Sequence, residues 1–308
     1  MRTLPLTVAL LLGGVLISTA QVTVEVVVEQ AQFLRDEPLS VKVRVTNRSG
    51  RTLHLGQDNE WLAFAIESLD GAVVSKLAEP QVSGVFTLES AQVATRLVDL
   101  MPCFDLSQPG RYTVAATVRI KEWNDEIAGK PKPFEIIRGT RLWEQAFGVP
   151  ATAGPPEARK YVLQQANYHK ELKLYLRLTD VSEQKVFRVF PLGPLVSFSQ
   201  PEAQVDKASY LHLLCQTGAR SFLFYVINPD GEVILRQTHD YAATRPTLRS
   251  TDEGRIFVAG GARRMTAGDV PAPVTGGATV STNLPHLPAT TNQAGDVRKD
   301  NDARTPKK

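Results

Sequence analysis

The chain has 308 residues, 43% of them hydrophobic and 22% charged, and its 35 Lys and Arg against 32 Asp and Glu leave a formal charge of +3. At roughly 150 residues per domain the length suggests about two domains, and the apolar fraction is too high for a chain that stays unfolded throughout. So small a net charge gives no electrostatic footprint for nucleic acid, and two cysteines exclude a disulfide-dense scaffold and a zinc site built of cysteine alone.

Residues 1–20 read as a signal peptide. Arg2 gives a positive start, Leu4 to Ile17 form an apolar run, and Ser18-Thr19-Ala20 put small residues where a signal peptidase cuts. The run is about 14 residues, short of the roughly 20 that span a bilayer, and no later stretch of the sequence is long and apolar enough. The expected location is periplasmic or secreted. There, Cys103 and Cys215 are candidates for a disulfide if their Cα atoms come within about 7 Å, and two buried free thiols are the plainer alternative. Asn47-Arg48-Ser49 matches a glycosylation sequon.

Residues 21–148 read as short strands separated by turns. Val22 to Val28 is rich in β-branched residues; Leu39, Val41, Val43 and Val45 then alternate with polar neighbours, the period of a half-buried strand. Leu53-His54-Leu55 resumes the alternation after the turn residues Asn47 to Gly50. Leu62, Phe64 and Ile66 lead into Asp70-Gly71, and Val73-Val74 predicts the return strand of a hairpin. Pro109-Gly110 introduces a further alternating strand from Tyr112 to Ile120. Strands about ten residues apart with no amphipathic helix between them predict an antiparallel sandwich.

Three segments carry a resemblance: Glu37-Pro38-Leu39, the stretch Val43–Gly50, and Leu106–Val118. Through them the first half resembles bacterial secreted immunoglobulin-like domains, including macroglobulin-type and proteinase-inhibitor-like ones. The resemblance implies a β-sandwich with a binding or spacer role. The cysteine pair of antibody-type domains is absent.

Residues 149–158 are dominated by Pro, Ala and Gly and read as a linker. Residues 159–264 are β again, beginning with Leu172, Leu174, Leu176 and Leu178 in alternation with Lys173, Tyr175, Arg177 and Thr179. A partial repeat follows, in which Pro201 corresponds to Pro246, Asp206 to Asp252 and Leu211 to Ile256, an offset of about 45 residues that resembles a propeller blade. The segment is too short for a closed propeller of at least about four blades, so it reads as a blade-like antiparallel meander, free-standing or completed in an oligomer. An ordinary antiparallel meander with Asp-Gly turns has a similar self-likeness. Residues 265–308 have no aromatic residue and read as a disordered tail.

The sequence offers little chemistry. It has no Gly-x-Ser-x-Gly elbow, no His-Glu-x-x-His and no calcium loop, so no catalytic, cofactor or metal-ligating residue is assigned and no cofactor is expected. Two local features are candidate binding residues. Trp123 with Asp125 and Glu126 puts an aromatic beside acids, as sugar binding uses, and Arg245 and Arg249 belong to a basic stretch suited to an anionic surface. The expected protein is all-β, an immunoglobulin-like sandwich followed by a blade-like meander. Its expected function is non-enzymatic binding or scaffolding through loops or sheet edges such as Leu39–Val45, with a protein or glycan partner outside the cytoplasm. Carbohydrate binding or processing and proteinase inhibition are the alternatives.

Overall fold

A computed structural model describes residues 22–149 and 157–270. The expected leader and most of the expected linker and tail lie outside these described residues. Within them the protein is all-β, and the only helical elements are single 3-10 turns at Asn59–Trp61, Met101–Cys103 and Lys121–Trp123. Among the described residues no helix is long and apolar enough to cross a membrane.

The first half contains β1 (Val22–Val28), β2 (Gln32–Leu34), β3 (Ser40–Asn47), β4 (Leu53–Leu55) and β5 (Leu62–Ser68). It continues with β6 (Phe86–Leu88), β7 (Val93–Asp99), β8 (Gly110–Ile120), β9 (Asp125–Ala128) and β10 (Lys132–Ile137). One sheet has the order β1-β3-β7. A second runs β2-β10-β8-β5 with β9 also on β8, and β4 pairs with β6. Alternate residues along a strand face the same way, so Val41, Val43 and Val45 of β3 enter one apolar core with Tyr112, Val114, Ala116 and Val118 of β8.

Three local expectations change. The segment Leu39–Val45 is no sheet edge, because β3 is hydrogen-bonded to β1 on one side and β7 on the other. Val73-Val74 forms no return strand and Val73 is 91% exposed. Instead β5 pairs with β8, and the Asp70 carboxylate accepts bonds from Arg111 N and Nη2, both at 2.8 Å, which ties the turn to the start of β8. Asn47 is fully buried: its Nδ2 donates to the carbonyls of Arg51 and Leu88 at 2.7 and 2.8 Å, and its Oδ1 accepts from Ser49 N. In the fold it is a turn residue whose side-chain amide is spent on these bonds.

The second half contains β11 (Thr140–Val149), β12 (Glu157–Tyr168), β13 (Glu171–Asp180), β14 (Val186–Pro194), β15 (Glu202–Val205) and β16 (Leu211–Gln216). Then come β17 (Ser221–Ile227), β18 (Val233–Asp240), β19 (Thr247–Ser250), β20 (Ile256–Ala259) and β21 (Ala262–Arg264). Its sheets are β11-β12-β13-β14, β15-β16-β17-β18-β21 and the hairpin β19-β20. The strand β11, which the sequence groups with the first half, pairs with β12 from Thr140↔Gln165 to Val149↔Glu157. Residues 265–270, placed in the tail by composition, instead close a turn from Thr266 to Asp269 and bridge Val270 to Arg236 of β18.

The two larger sheets share a core that includes Tyr161, Leu176, Leu178, Leu213 and Tyr225. The hairpin β19-β20 covers the other face of β16 and β17, where Leu248, Ile256 and Val258 meet Leu214, Phe222 and Phe224. The hairpins β15-β16 and β19-β20 repeat one register: Glu202↔Leu214 and Val205↔Leu211 correspond to Thr247↔Ala259 and Ser250↔Ile256, at the offset of about 45 residues read from the sequence.

The halves meet where the turn after β2 docks on β12, β13 and β14. Leu34 packs with Ala166, Tyr175 and Val189, and Gln32 Oε1 accepts from His169 N at 2.6 Å. Arg177 is buried, with Nη1 on the carbonyl of Arg35 at 3.2 Å and Nη2 at 2.6 Å from Asp36 Oδ2. Beside them Glu37 is buried, accepting from Leu34 N at 2.7 Å and Gln30 Nε2 at 2.9 Å. Burial outweighs these bonds and pushes its carboxyl above the usual carboxylate range. A carboxyl whose pKa rises on folding adds most stability below its unfolded pKa and loses that contribution as pH climbs through the folded value. Glu37→Gln should therefore be more stable than the parent at pH 7, with the gap closing near pH 4, as urea denaturation at the two pH values would show.

Candidate functional site

The ladder between β3 and β7 is bracketed by Asn47 N on the carbonyl of Gln92 and Leu100 N on that of Leu39, both at 3.0 Å. In an antiparallel pair alternate residues turn their backbone groups to opposite sides. Ala94, Arg96 and Val98 therefore bond to β3, whereas Val93, Thr95, Leu97 and Asp99 turn N–H and C=O outward. Among the described residues no strand pairs with this outer edge.

Two other sheet edges carry protection. The β9–β10 connection runs against β1, so close that a Cβ on Gly129 would lie 3.0 Å from the carbonyl oxygen of Val24. The edge of β14 is broken by register shifts and contains Pro191 and Pro194. The strand β7 is seven residues long with no proline, lysine or bulge, and its outward face carries Val93 and Leu97, 47% and 57% exposed.

Beside this edge lies an apolar groove of about 280 Å³, lined in part by Val43, Val45, Trp61, Val85, Phe86 and Ala94. Its far side, Gly84 to Phe86, continues the strap Val82-Ser83-Gly84, which is pinned by three side chains and one backbone carbonyl. Trp61 Nε1 donates to the carbonyl of Val82 at 2.9 Å, while its ring meets Phe86 edge-on at 5.4 Å. Asn59 Oδ1 accepts from the backbone N–H groups of Val82 and Ser83 at 3.1 and 2.9 Å. Arg96 reaches inward from β7 and donates Nη2 to the carbonyls of Val82 and Ser83 at 3.0 and 2.7 Å. Gly56, at φ +81°, accepts from Gly84 N at 2.9 Å, and a Cβ there would sit 2.1 Å from the Gly84 carbonyl oxygen. The groove thus has a wall fixed by hydrogen bonds on one side and Ala94, Thr95 and Arg96 of the unpaired strand on the other.

The structure distributes the sequence-derived candidates without gathering them. Trp123 is half-buried against the first core, Glu126 binds Arg119, and Asp125 is exposed. Arg245 lies 5.3 Å from the Phe222 ring, and Arg249 is an exposed residue of β19. Cys103 and Cys215 are both free and buried in separate cores. Burial pushes the Cys215 thiol up to about 12 and raises that of Cys103, which keeps both as unreactive thiols. His212 Nε2 meets Asp206 at 3.0 Å, and His239, lowered by burial, packs beside Phe224. Among the described residues no three His, Cys, Asp or Glu side chains stand close enough to hold a metal ion.

The edge of β7 escapes the sequence reading because Val93-Ala94-Thr95-Arg96-Leu97-Val98-Asp99 has apolar residues on both faces and so no clean alternation. Its one legible signal is the pairing of Val93 and Leu97 around Thr95 on the face that has no basic residue. Compared with known proteins, the chain matches no family model, no curated protein and no solved structure.

Two substitutions test the wall of the groove. Gly56→Ala combines a left-handed backbone with a backbone clash and should cost at least about 1–3 kcal/mol. Trp61→Ala removes a buried indole and a hydrogen bond and should cost about 3–5 kcal/mol. Urea denaturation measures both, and a neutral result for either would remove the strap as a fixed wall.

Proposed function

We propose that the chain is an exported, non-enzymatic binding or scaffolding protein that takes an extended strand onto the open edge of β7. The observation that carries this reading is the coincidence of an unpaired seven-residue edge with an apolar groove at its side. A strand added there gains main-chain hydrogen bonds, and its inward side chains reach the groove, the two ingredients of recognition by β-augmentation.

In this reading the first half is an immunoglobulin-like sandwich. Tyr112, near the start of β8, donates Oη to the carbonyl of Gln108 at 2.5 Å, the tyrosine-corner arrangement of Greek-key sandwiches. The second half is then a blade-like stack. Its support is the shared register of β15-β16 and β19-β20, together with the matching positions of Ala203 and Leu248, each packed on the sheet or hairpin next to it. The stack serves as a rigid base on which the sandwich is docked through Leu34 and Arg177.

Thr95→Pro separates edge binding from folding. Thr95 turns its N–H away from β3, so proline removes an outward donor and leaves the ladder to β3 in place. A display library of extended peptides should yield binders to the parent protein that Thr95→Pro loses at unchanged melting temperature. Binders that hold equally well to both proteins would move the site away from β7, and a library without binders would end the reading.

A further inference from the structure

We propose that the strand received at β7 is β7 of a second copy of this chain, paired antiparallel with Thr95 on the two-fold axis. The inference rests on the strand-acceptor reading and names its partner.

The geometry allows few self-pairings. The outward backbone groups belong to Val93, Thr95, Leu97 and Asp99, so the residues that bond across the axis must come from this set. Centring the axis on Val93 places Leu97 opposite Glu89, and centring it on Leu97 places Asp99 opposite Thr95. Centring it on Ala94 places Leu97 opposite Ala91, whose N–H is already given to the carbonyl of Asn47, and centring it on Arg96 sets the two Arg96 cations directly opposite each other. Centring it on Thr95 places Val93 opposite Leu97 of the copy, Thr95 opposite Thr95, and Leu97 opposite Val93. That register joins every outward residue from 93 to 97 in hydrogen-bonded pairs and covers both exposed apolar side chains of the strand with each other. An isologous contact requires such self-complementarity, since one patch must fit itself.

The inward face fits the same register. Ala94 stands opposite Arg96 of the copy, small against large, and each Arg96 already has its own strap carbonyls as acceptors. On the outward face, Lys42 and Arg44 of β3 flank Leu97 and Thr95, and they are paired with Glu29 and Glu25 of β1, so two copies do not bring uncompensated positive charge to the axis. The product is one continuous six-stranded sheet, β1-β3-β7 joined to β7-β3-β1.

Cross-linking tests the register. In a hydrogen-bonded antiparallel pair the Cα atoms lie about 5.5 Å apart, within disulfide range. Thr95→Cys should therefore form a covalent dimer under mild oxidation, without the buried native cysteines reacting. Val93→Cys alone should not cross-link, because equivalent residues would be about 13 Å apart along the strands. A mixture of Val93→Cys and Leu97→Cys chains should give the heterodimer. Sedimentation velocity should show concentration-dependent dimerisation of the parent protein, weakened about tenfold or more in Thr95→Pro by the loss of one edge donor from each copy. A monomeric parent with no Thr95→Cys dimer would overturn self-pairing, and dimers that cross-link equally through Val93→Cys alone would overturn this register. The peptide library separates the two levels: a monomer that still binds peptides at β7 keeps the acceptor reading and loses the self-pairing.

Discussion

The buried guanidinium of Arg177 is the constraint around which the two halves are arranged. A cation taken out of water needs charge and hydrogen-bond partners in fixed positions, and here both come from the other half of the chain. Asp36, at φ +65°, turns the backbone so that the carbonyl of Arg35 and its own carboxylate face the same guanidinium. The turn that makes this possible also carries Leu34 onto Tyr175 and Val189 and leaves Glu37 buried beside them. Separating the halves would therefore expose an apolar cluster and strand an ion pair in one step. That coupling ties the two halves together through one turn.

Burial on both faces follows for the second half. One face of β13 carries Leu174, Leu176 and Leu178 into the core shared with β16 and β17, and the other carries Tyr175 and Arg177 under the docked turn. The strand β16 goes further: all six of its residues are buried, because β13 lies on one side and the hairpin β19-β20 on the other. Stacking solves the same problem twice, with each added sheet or hairpin covering the apolar face left by the one before. The equal registers of β15-β16 and β19-β20 express that repetition in hydrogen bonds.

Period-two patterning made much of this legible. The alternations at β3, β8 and β13 lie where the sequence puts them, and the offset between Pro201 and Pro246 marks two hairpins of equal register. What patterning could not reveal was which face meets water. Tyr175, Arg177 and Thr179 look like a solvent face and are buried, and part of the cover over Tyr175 and Arg177 comes from Leu34 to Asp36, more than a hundred positions away. The Asp70-Gly71 turn is real chemistry with a different partner, because Arg111 captures Asp70 and gives β5 to β8. Likewise β3 has the sequence of a half-exposed edge but lies centrally, a fact about pairing that no single strand encodes. The candidate site suffers most from this, since an edge is defined by the strand that is missing.

In the proposed strand acceptor, Arg96 would set the selectivity of that edge. An inward-pointing charge on an edge strand normally repels a newcomer, because pairing would bury the charge. Here the guanidinium already rests on the carbonyls of Val82 and Ser83, so burial by an incoming strand costs it no partner. Its bulk remains, and a residue directly opposite must be small, whereas the position opposite Ala94 has room for a long side chain. A strand of uniformly large inward residues, the usual composition of aggregating segments, clashes at Arg96. The edge is thereby open to a strand with one small and one large inward residue in a defined order, and β7 itself presents Ala94 and Arg96 in that order when run antiparallel.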